Sequence, residues 1–306
     1  MKKWFMAILL LVCVALSGGC RKDAQVRTDG YEYLIGVSLT NVMEPWLNNL
    51  VQMITAEAEQ GGEANLIFRD AAGSAEKQIQ DIEALMECGI DLLIFTPDGS
   101  DALNSTIESV YEKIPVVAVG SEPETDAYTM VIQADDREIG KLAGEYILEN
   151  LYENGERIVV LEGVDGSPIS DKRLQGFKEA VRKKIPERDI TYYYGEWLRD
   201  MAELRMKDYL VVNENADIVF AFNDEMAYGA YSACQQFRVK TDTDFIGVDG
   251  CEGELAGMNL VERGVLNATI QVPDFGALAY EKAMEILRGE EVDREITIVP
   301  RLIASD

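Results

Sequence analysis

Short apolar runs recur along the chain, separated by longer stretches with helical spacing. Leu34–Leu39 (LIGVSL), Asn65–Phe68 (NLIF), Leu92–Phe95 (LLIF) and Val116–Val119 (VVAV) show almost none of the alternation expected of a strand with one wet face. They predict parallel strands buried on both faces. Between two of them, Ser74–Cys88 carries Ile79, Ile82, Leu85 and Met86 on one helical face, and Gly89 supplies a C-terminal stop. Repeated βα units of this kind build a parallel sheet covered by helices on both faces.

The first series ends around Met130–Asp136 (MVIQADD), where a long helix, Arg137–Tyr152, is predicted. The alternation then restarts. Strand-like runs at Arg157–Leu161, Ile190–Tyr194, Ile218–Phe222 and Phe245–Val248 alternate with helices near 171–184, 200–213 and 225–237. No Pro- or Gly-rich linker separates the two series, so the pattern predicts two α/β lobes sharing a close hinge.

The amino terminus departs from this pattern. Met1-Lys2-Lys3 precedes an apolar run, Trp4–Leu16, and then Ser17-Gly18-Gly19-Cys20. The 13-residue run is shorter than the roughly 20 residues that a membrane-crossing helix needs. A basic start, a short apolar segment and small residues before a cysteine are the layout of an exported lipoprotein's signal. Residues 1–19 are therefore expected to be cleaved and Cys20 to be acylated, although Ser17 stands where such signals usually carry leucine. Residues 20–30, polar and without periodicity, read as a flexible tether. The expected location is outside the cytoplasm, on the outer face of the cell membrane.

Charge narrows the partners. The 306 residues include 28 basic and 55 acidic side chains and no histidine, a formal net charge of −27. Loss of Lys2 and Lys3 with the signal makes the mature chain more negative still. Such a surface repels nucleic acid phosphate and anionic lipid head groups, and no basic patch suggests a DNA reader. Cys88, Cys234 and Cys251 show no CxxC spacing and have no histidine to complete a zinc set. They read as small buried or half-buried residues, with a Cys234–Cys251 disulfide as the alternative in an exported chain.

In open parallel sheets, ligands bind beyond the carboxyl ends of the strands. Those ends carry Thr40 to Trp46, including Glu44; Thr96-Pro97-Asp98; Val164 to Ser167; Trp197; Asn223-Asp224; Asp249-Gly250; and Gln271. Acids and amides match vicinal hydroxyls, and aromatic faces cover the C–H face of a pyranose or cyclitol ring, so a polyol ligand fits. Many of these acids also precede a helix, so a capping role is the alternative for Asp135, Asp136, Asn223, Asp224 and Asp249. Enzyme signatures are absent: there is no G-x-G-x-x-G after the first strand, no phosphate-binding G-x-x-x-x-G-K-[ST] and no G-x-S-x-G. The commonest general base is missing as well. The chain reads as a binding protein and not an enzyme.

Asn223-Asp224-Glu225-Met226-Ala227-Tyr228-Gly229-Ala230, followed by Phe245-Ile246-Gly247-Val248-Asp249-Gly250, resembles the paired signatures of type I periplasmic sugar-binding proteins. Arg173-x-x-Gly176-Phe177, Ala268-Thr269-Ile270-Gln271 and Gly289-Glu290 also fall where that family has them, and the resemblance spans roughly residues 32–300. It implies two Rossmann-like lobes joined by three crossings near Gln133, Gln271 and Val299. One lobe would hold 31–132 and 272–298, the other 133–271 and 299–306.

It further implies that Glu44, Trp46, Trp197, Asn223, Asp249, Gln271 and Arg173 contact ligand, with the two indoles sandwiching a ring. Thr96, at a strand end, and Asp171, where pentose binders carry an arginine, complete the candidate set. The Asp-Arg pair of pentose binders is Gly120-Ser121 here, which argues against ribose and leaves a hexose, an inositol or a neutral or cationic small ligand open. Hinge closure on ligand and docking of the closed face on an ABC permease would follow, with a monomeric receptor and no cofactor or metal. A sensor of the same fold, signalling to a membrane histidine kinase or chemoreceptor, is the alternative.

Overall fold

A computed structural model describes residues 30–305, apart from residue 214 and the segments 238–242, 252–255 and 273–274. The proposed signal and Cys20 lie outside the described residues, as does the tether up to residue 29.

The first lobe starts with β1 (Tyr33–Leu39), α1 (Pro45–Gly61), β2 (Ala64–Asp70), α2 (Ala75–Glu87) and β3 (Leu92–Phe95). It continues with α3 (Asn104–Tyr111), β4 (Val116–Gly120) and β5 (Met130–Ala134). The second lobe contains α4 (Asp136–Tyr146), β6 (Ile158–Glu162), α5 (Pro168–Val181), β7 (Ile190–Tyr194), α6 (Arg199–Asn213) and β8 (Ile218–Ala221). It ends with α7 (Asp224–Phe237), β9 (Asp244–Asp249), α8 (Gly257–Glu262) and β10 (Ala268–Gln271). The chain then returns to the first lobe for α9 (Phe275–Leu287) and β11 (Glu295–Ile298), and to the second for β12 (Arg301–Ala304).

Each lobe is built on a six-stranded sheet, in the orders β11-β5-β4-β3-β1-β2 and β12-β10-β9-β8-β6-β7. Every pairing is parallel except β10 with β12. Within both sheets the core order is 2-1-3-4-5, the second doubly wound arrangement, whose ligand crevice opens beside the first strand. The central strands β3, β4 and β8 are buried along their full length, which is why they read as unbroken apolar runs. The first sheet has a core on each face, one shared with α1 and α9, the other with α2 and α3. Strand membership changes between lobes three times: from β5 to α4, from β10 to α9, and from β11 to β12.

Local chemistry sets several helix ends. Ser74 Oγ accepts from Lys77 N–H at 3.2 Å to start α2, and Asp135 Oδ1 accepts from Glu138 N–H at 2.9 Å to start α4. Two expectations change, and the alternative disulfide is not formed. The helix predicted over 137–152 is α-helical only to Tyr146, then widens into a π-helical turn, Ile147–Leu151, whose looser ladder the 3.6-residue spacing does not reveal. On α2 the buried stripe is Gln78, Ile82 and Leu85; Ile79 and Met86 are half-buried. No disulfide joins Cys234 and Cys251.

One helix crossing in the second lobe bears directly on the site. α4 and α5 meet backbone to backbone at two glycines: a Cβ at Gly140 would lie 1.8 Å from Arg173 O, and one at Gly176 1.9 Å from Arg137 O. This approach carries Arg173 of α5 over the first residue of α4. Gly176→Ala must push the helices apart, and overpacking of this kind destabilises by about 1–3 kcal/mol. We expect a lowered thermal midpoint for Gly176→Ala, measured by calorimetry; an unchanged midpoint would mean that the crossing has slack.

Candidate functional site

The carboxyl ends of both sheets face one another across a cleft of about 600 Å³. From the first lobe come Glu44 and Trp46, at the start of α1, and Thr96 and Asp98, after β3. From the second come Arg173 on α5, Trp197 after β7, Asn223 after β8, and Asp249 and Gln271 at the ends of β9 and β10. Eight of the nine candidate contacts thus line one cavity.

Asp171 does not. It is exposed on α5 and borders a surface depression with Leu174, Gln175 and Lys178. Two residues of helix turn a side chain by about 200°, so with Arg173 directed at the cleft Asp171 is directed away from it.

Arg173 is the organising group of the second lobe's wall. Its Nε donates to Asp136 Oδ1 at 2.8 Å, its Nη1 donates to the Phe222 carbonyl, and its guanidinium lies 5.5 Å from the centre of the Trp197 ring. Both ionic partners are buried. Burial pushes the Asp136 carboxyl up and the guanidinium opposes that shift. The Trp197 indole lies against Gly163, where a Cβ would sit 2.0 Å from the ring, so nothing larger than glycine fits beneath it.

The amides and acids at the strand ends divide between holding the frame and facing the cavity. Asn223 Oδ1 accepts from Met226 N–H at 2.8 Å and caps α7, while its Nδ2 donates to the Trp197 carbonyl at 3.0 Å. Asn223 therefore fixes the tryptophan loop while lining the cleft. Asp224 turns inward: it accepts from Gly250 N–H at 2.8 Å and from Thr269 Oγ1 at 2.7 Å, tying together the ends of β9 and β10. Burial, with Asp249 adding, raises its carboxyl well above the usual range, against those two hydrogen bonds. Gln271 donates to the Gly250 carbonyl at 3.3 Å and accepts from Arg301 at 2.9 Å. Thr96 Oγ1 accepts from Thr40 N–H at 3.0 Å.

Two carboxyls are held differently. Burial pushes Glu44 up to about 7, a hydrogen bond from the Trp46 side chain opposing and Asp70 adding. Burial likewise takes Asp249 up to about 7, with Arg173 opposing and Glu225 and Asp136 adding. Backbone strain gathers at the same place. Among the described residues, the non-glycine residues with left-handed or otherwise positive φ are Ala72 (51°), Glu196 (56°), Trp197 (63°) and Asp249 (107°). Trp197 and Asp249 line the cleft; Ala72 and Glu196 each adjoin a lining residue. Strained backbone persists where the surroundings enforce it, and functional sites are where it collects.

Gln78 was not among the candidate residues. It is 0% exposed and lines the cleft; its Nε2 donates to the Thr96 carbonyl at 2.9 Å, and its Oε1 has no partner. The sequence signal was a polar residue at the first position of the i, i+4, i+7 stripe that Ile82 and Leu85 continue. At the rim the lobes touch: a Cβ on Gly99 of the first lobe would lie 2.3 Å from Pro168 Cδ of the second.

The chain matches the periplasmic binding protein domain family over residues 35–291. It belongs to that family. It is 30% identical to the ribose import binding protein of Bacillus subtilis, over 87% of this chain and 85% of that protein. A xylitol-binding protein of Mycolicibacterium smegmatis is 27% identical over 79% of this chain and 69% of its own length. Among solved structures, the fructose-binding periplasmic domain of a hybrid two-component system superposes with a TM-score of 0.80 at 31% identity, covering 89% of this chain and 90% of that one. Two sheets of mostly parallel strands with helices on their faces are the architecture of type I members of this family.

The two raised carboxyls of this binding protein set a pH dependence. Glu44 and Asp249 bind protons in the fold near pH 7, above the unfolded range near 4. Their contribution is full below about pH 4 and is lost as pH rises through about 7. The apo protein's thermal midpoint should therefore fall between these limits as pH is raised. The Glu44→Gln, Asp249→Asn double variant should lose part of that slope. An identical slope in the double variant would contradict the raised titration of these half-buried acids.

Proposed function

We propose that this chain is an extracytoplasmic receptor that captures a small carbohydrate or polyol between its lobes and delivers it to an ABC importer. The observation that carries the reading is the composition of the cleft. One indole from each lobe, Trp46 and Trp197, lines a cavity that also holds Asp98, Asn223, Asp249 and Gln271 at strand ends, among apolar side chains such as Val119, Ile169 and Phe275. Aromatic faces suit the C–H face of a sugar or cyclitol ring, and paired acceptors and donors suit its hydroxyls. The relatives named for ribose, xylitol and fructose support the class.

The mechanism is domain closure. Contacts to both lobes favour the closed arrangement, so the ligand itself shifts the population, and the three crossings act as the hinge. No bond is made or broken, and no cofactor or metal takes part. The receptor acts as a monomer tethered through an acylated Cys20 beside its permease. A second reading is a sensor: the fructose-binding relative is a domain of a two-component system, and the same closure delivers a signal as readily as a substrate.

A thermal-shift screen of pentoses, hexoses, inositols and polyols identifies a ligand by mass action on the folded state. Against that ligand, Trp46→Ala or Trp197→Ala should each weaken binding by roughly 1–3 kcal/mol, read by calorimetric titration. Full affinity in both variants would remove the ring sandwich from the account.

A further inference from the structure

The cleft is short of positive charge in a way that a neutral sugar leaves uncorrected. Glu44 and Asp98 line it from the first lobe and Asp249 from the second. Among the described lining residues Arg173 is the basic one, and it is held by Asp136 and the Phe222 carbonyl. No lysine or arginine among the described residues forms an ion pair with Glu44, Asp98 or Asp249. Asp98 accepts from Ser100 N–H at 3.0 Å and Ser100 Oγ at 2.9 Å, whereas Glu44 and Asp249 are half-buried carboxyls with no ion pair among the described residues, and an isolated charge out of water is costly. Here the groups sit on opposite lobes, so closure gathers acids around whatever is bound, and a cation favours their ionised forms.

A second observation, independent of the acids, points the same way. Gln78 is fully buried, and its Nε2 bond to the Thr96 carbonyl fixes which end of the amide is which. The oxygen is left as an acceptor with no donor from the protein. This oxygen lies just beneath the cleft surface; the first lobe presents Glu44 and Asp98, the latter also accepting from Ser100 N–H at 3.0 Å, and beside Glu44 stands the Trp46 indole, whose face attracts cations. A group with N–H donors and a positive charge meets the two carboxyls and the indole at once.

We propose that the ligand is an amino sugar or aminocyclitol, whose protonated amine is bound by Glu44 in the first lobe while Asp249 closes over it from the second. This rests on the reading of the cleft as a carbohydrate site. It also excludes sugar phosphates and uronic acids, which would add negative charge to a wall that already lacks counter-charge.

The test is calorimetric titration of the full chain, at neutral pH, with glucosamine, galactosamine and mannosamine, each against glucose, galactose and mannose. At least one amine should bind about tenfold or more tighter than its parent sugar. In Glu44→Gln, checked for folding by its thermal midpoint, that ratio should collapse towards one. In Asp249→Asn it should fall as well, which keeps the result readable if the first variant does not fold. Parents binding as tightly as their amines, or a ratio that survives both substitutions, overturns the proposal and leaves the sugar reading standing. Binding of neither amines nor neutral sugars and polyols overturns that reading too.

Discussion

One buried guanidinium holds the second lobe's half of the cleft in shape. Arg173 reaches Asp136 at the start of α4, the carbonyl of Phe222 after β8 and the indole of Trp197 after β7. Asp136 directly follows the first crossing between lobes, so the same ion pair ties the cleft wall to the hinge. The glycine contact between α4 and α5 brings the pair together, because any side chain at Gly140 or Gly176 would separate the helices that carry its two members. Removing one partner of such a pair leaves an uncompensated buried charge, typically worth about 3–5 kcal/mol. An arginine in this position is therefore part of the architecture before it is a ligand contact.

The same distinction applies to the acids and amides around it. Asp224 faces Gly250 and Thr269 and keeps the ends of β9 and β10 in register. Asn223 caps α7 and anchors the Trp197 loop. Glu44 and Asp249 form no ion pair among the described residues, and burial raises both. A cleft that holds acids in this state is prepared for a partner that supplies donors. The frame residues satisfy one another, and the carboxyls left without an ion pair face the ligand.

The core of the fold was legible because parallel strands buried on both faces leave a signature that few other elements share. LLIF and VVAV are strands β3 and β4, and LIGVSL falls within β1. The short outer strands β11 and β12 were not anticipated as elements. They are half-exposed and four residues each, too short for a periodicity to show. The cleft residues followed from one rule about strand ends together with a family resemblance. Asp171 was misplaced because correspondence by position ignores the angle a helix imposes, and Gln78 was missed because a polar residue inside an apolar stripe was passed over. Whether an acid caps a helix or faces a cavity depends on a rotamer and on packing several strands away, and no local pattern encodes that.

Sequence chemistry also provides a direct probe of the central claim. The chain has three tryptophans; two line the cleft, and the third, Trp4, lies in the proposed signal. In a full-length Trp4→Phe chain, all tryptophan emission therefore reports on the cavity. Titration with a sugar or polyol that raises the thermal midpoint should give a saturable change in emission at the same concentrations. A compound that stabilises the protein yet leaves the emission of both indoles untouched would contradict binding between the lobes.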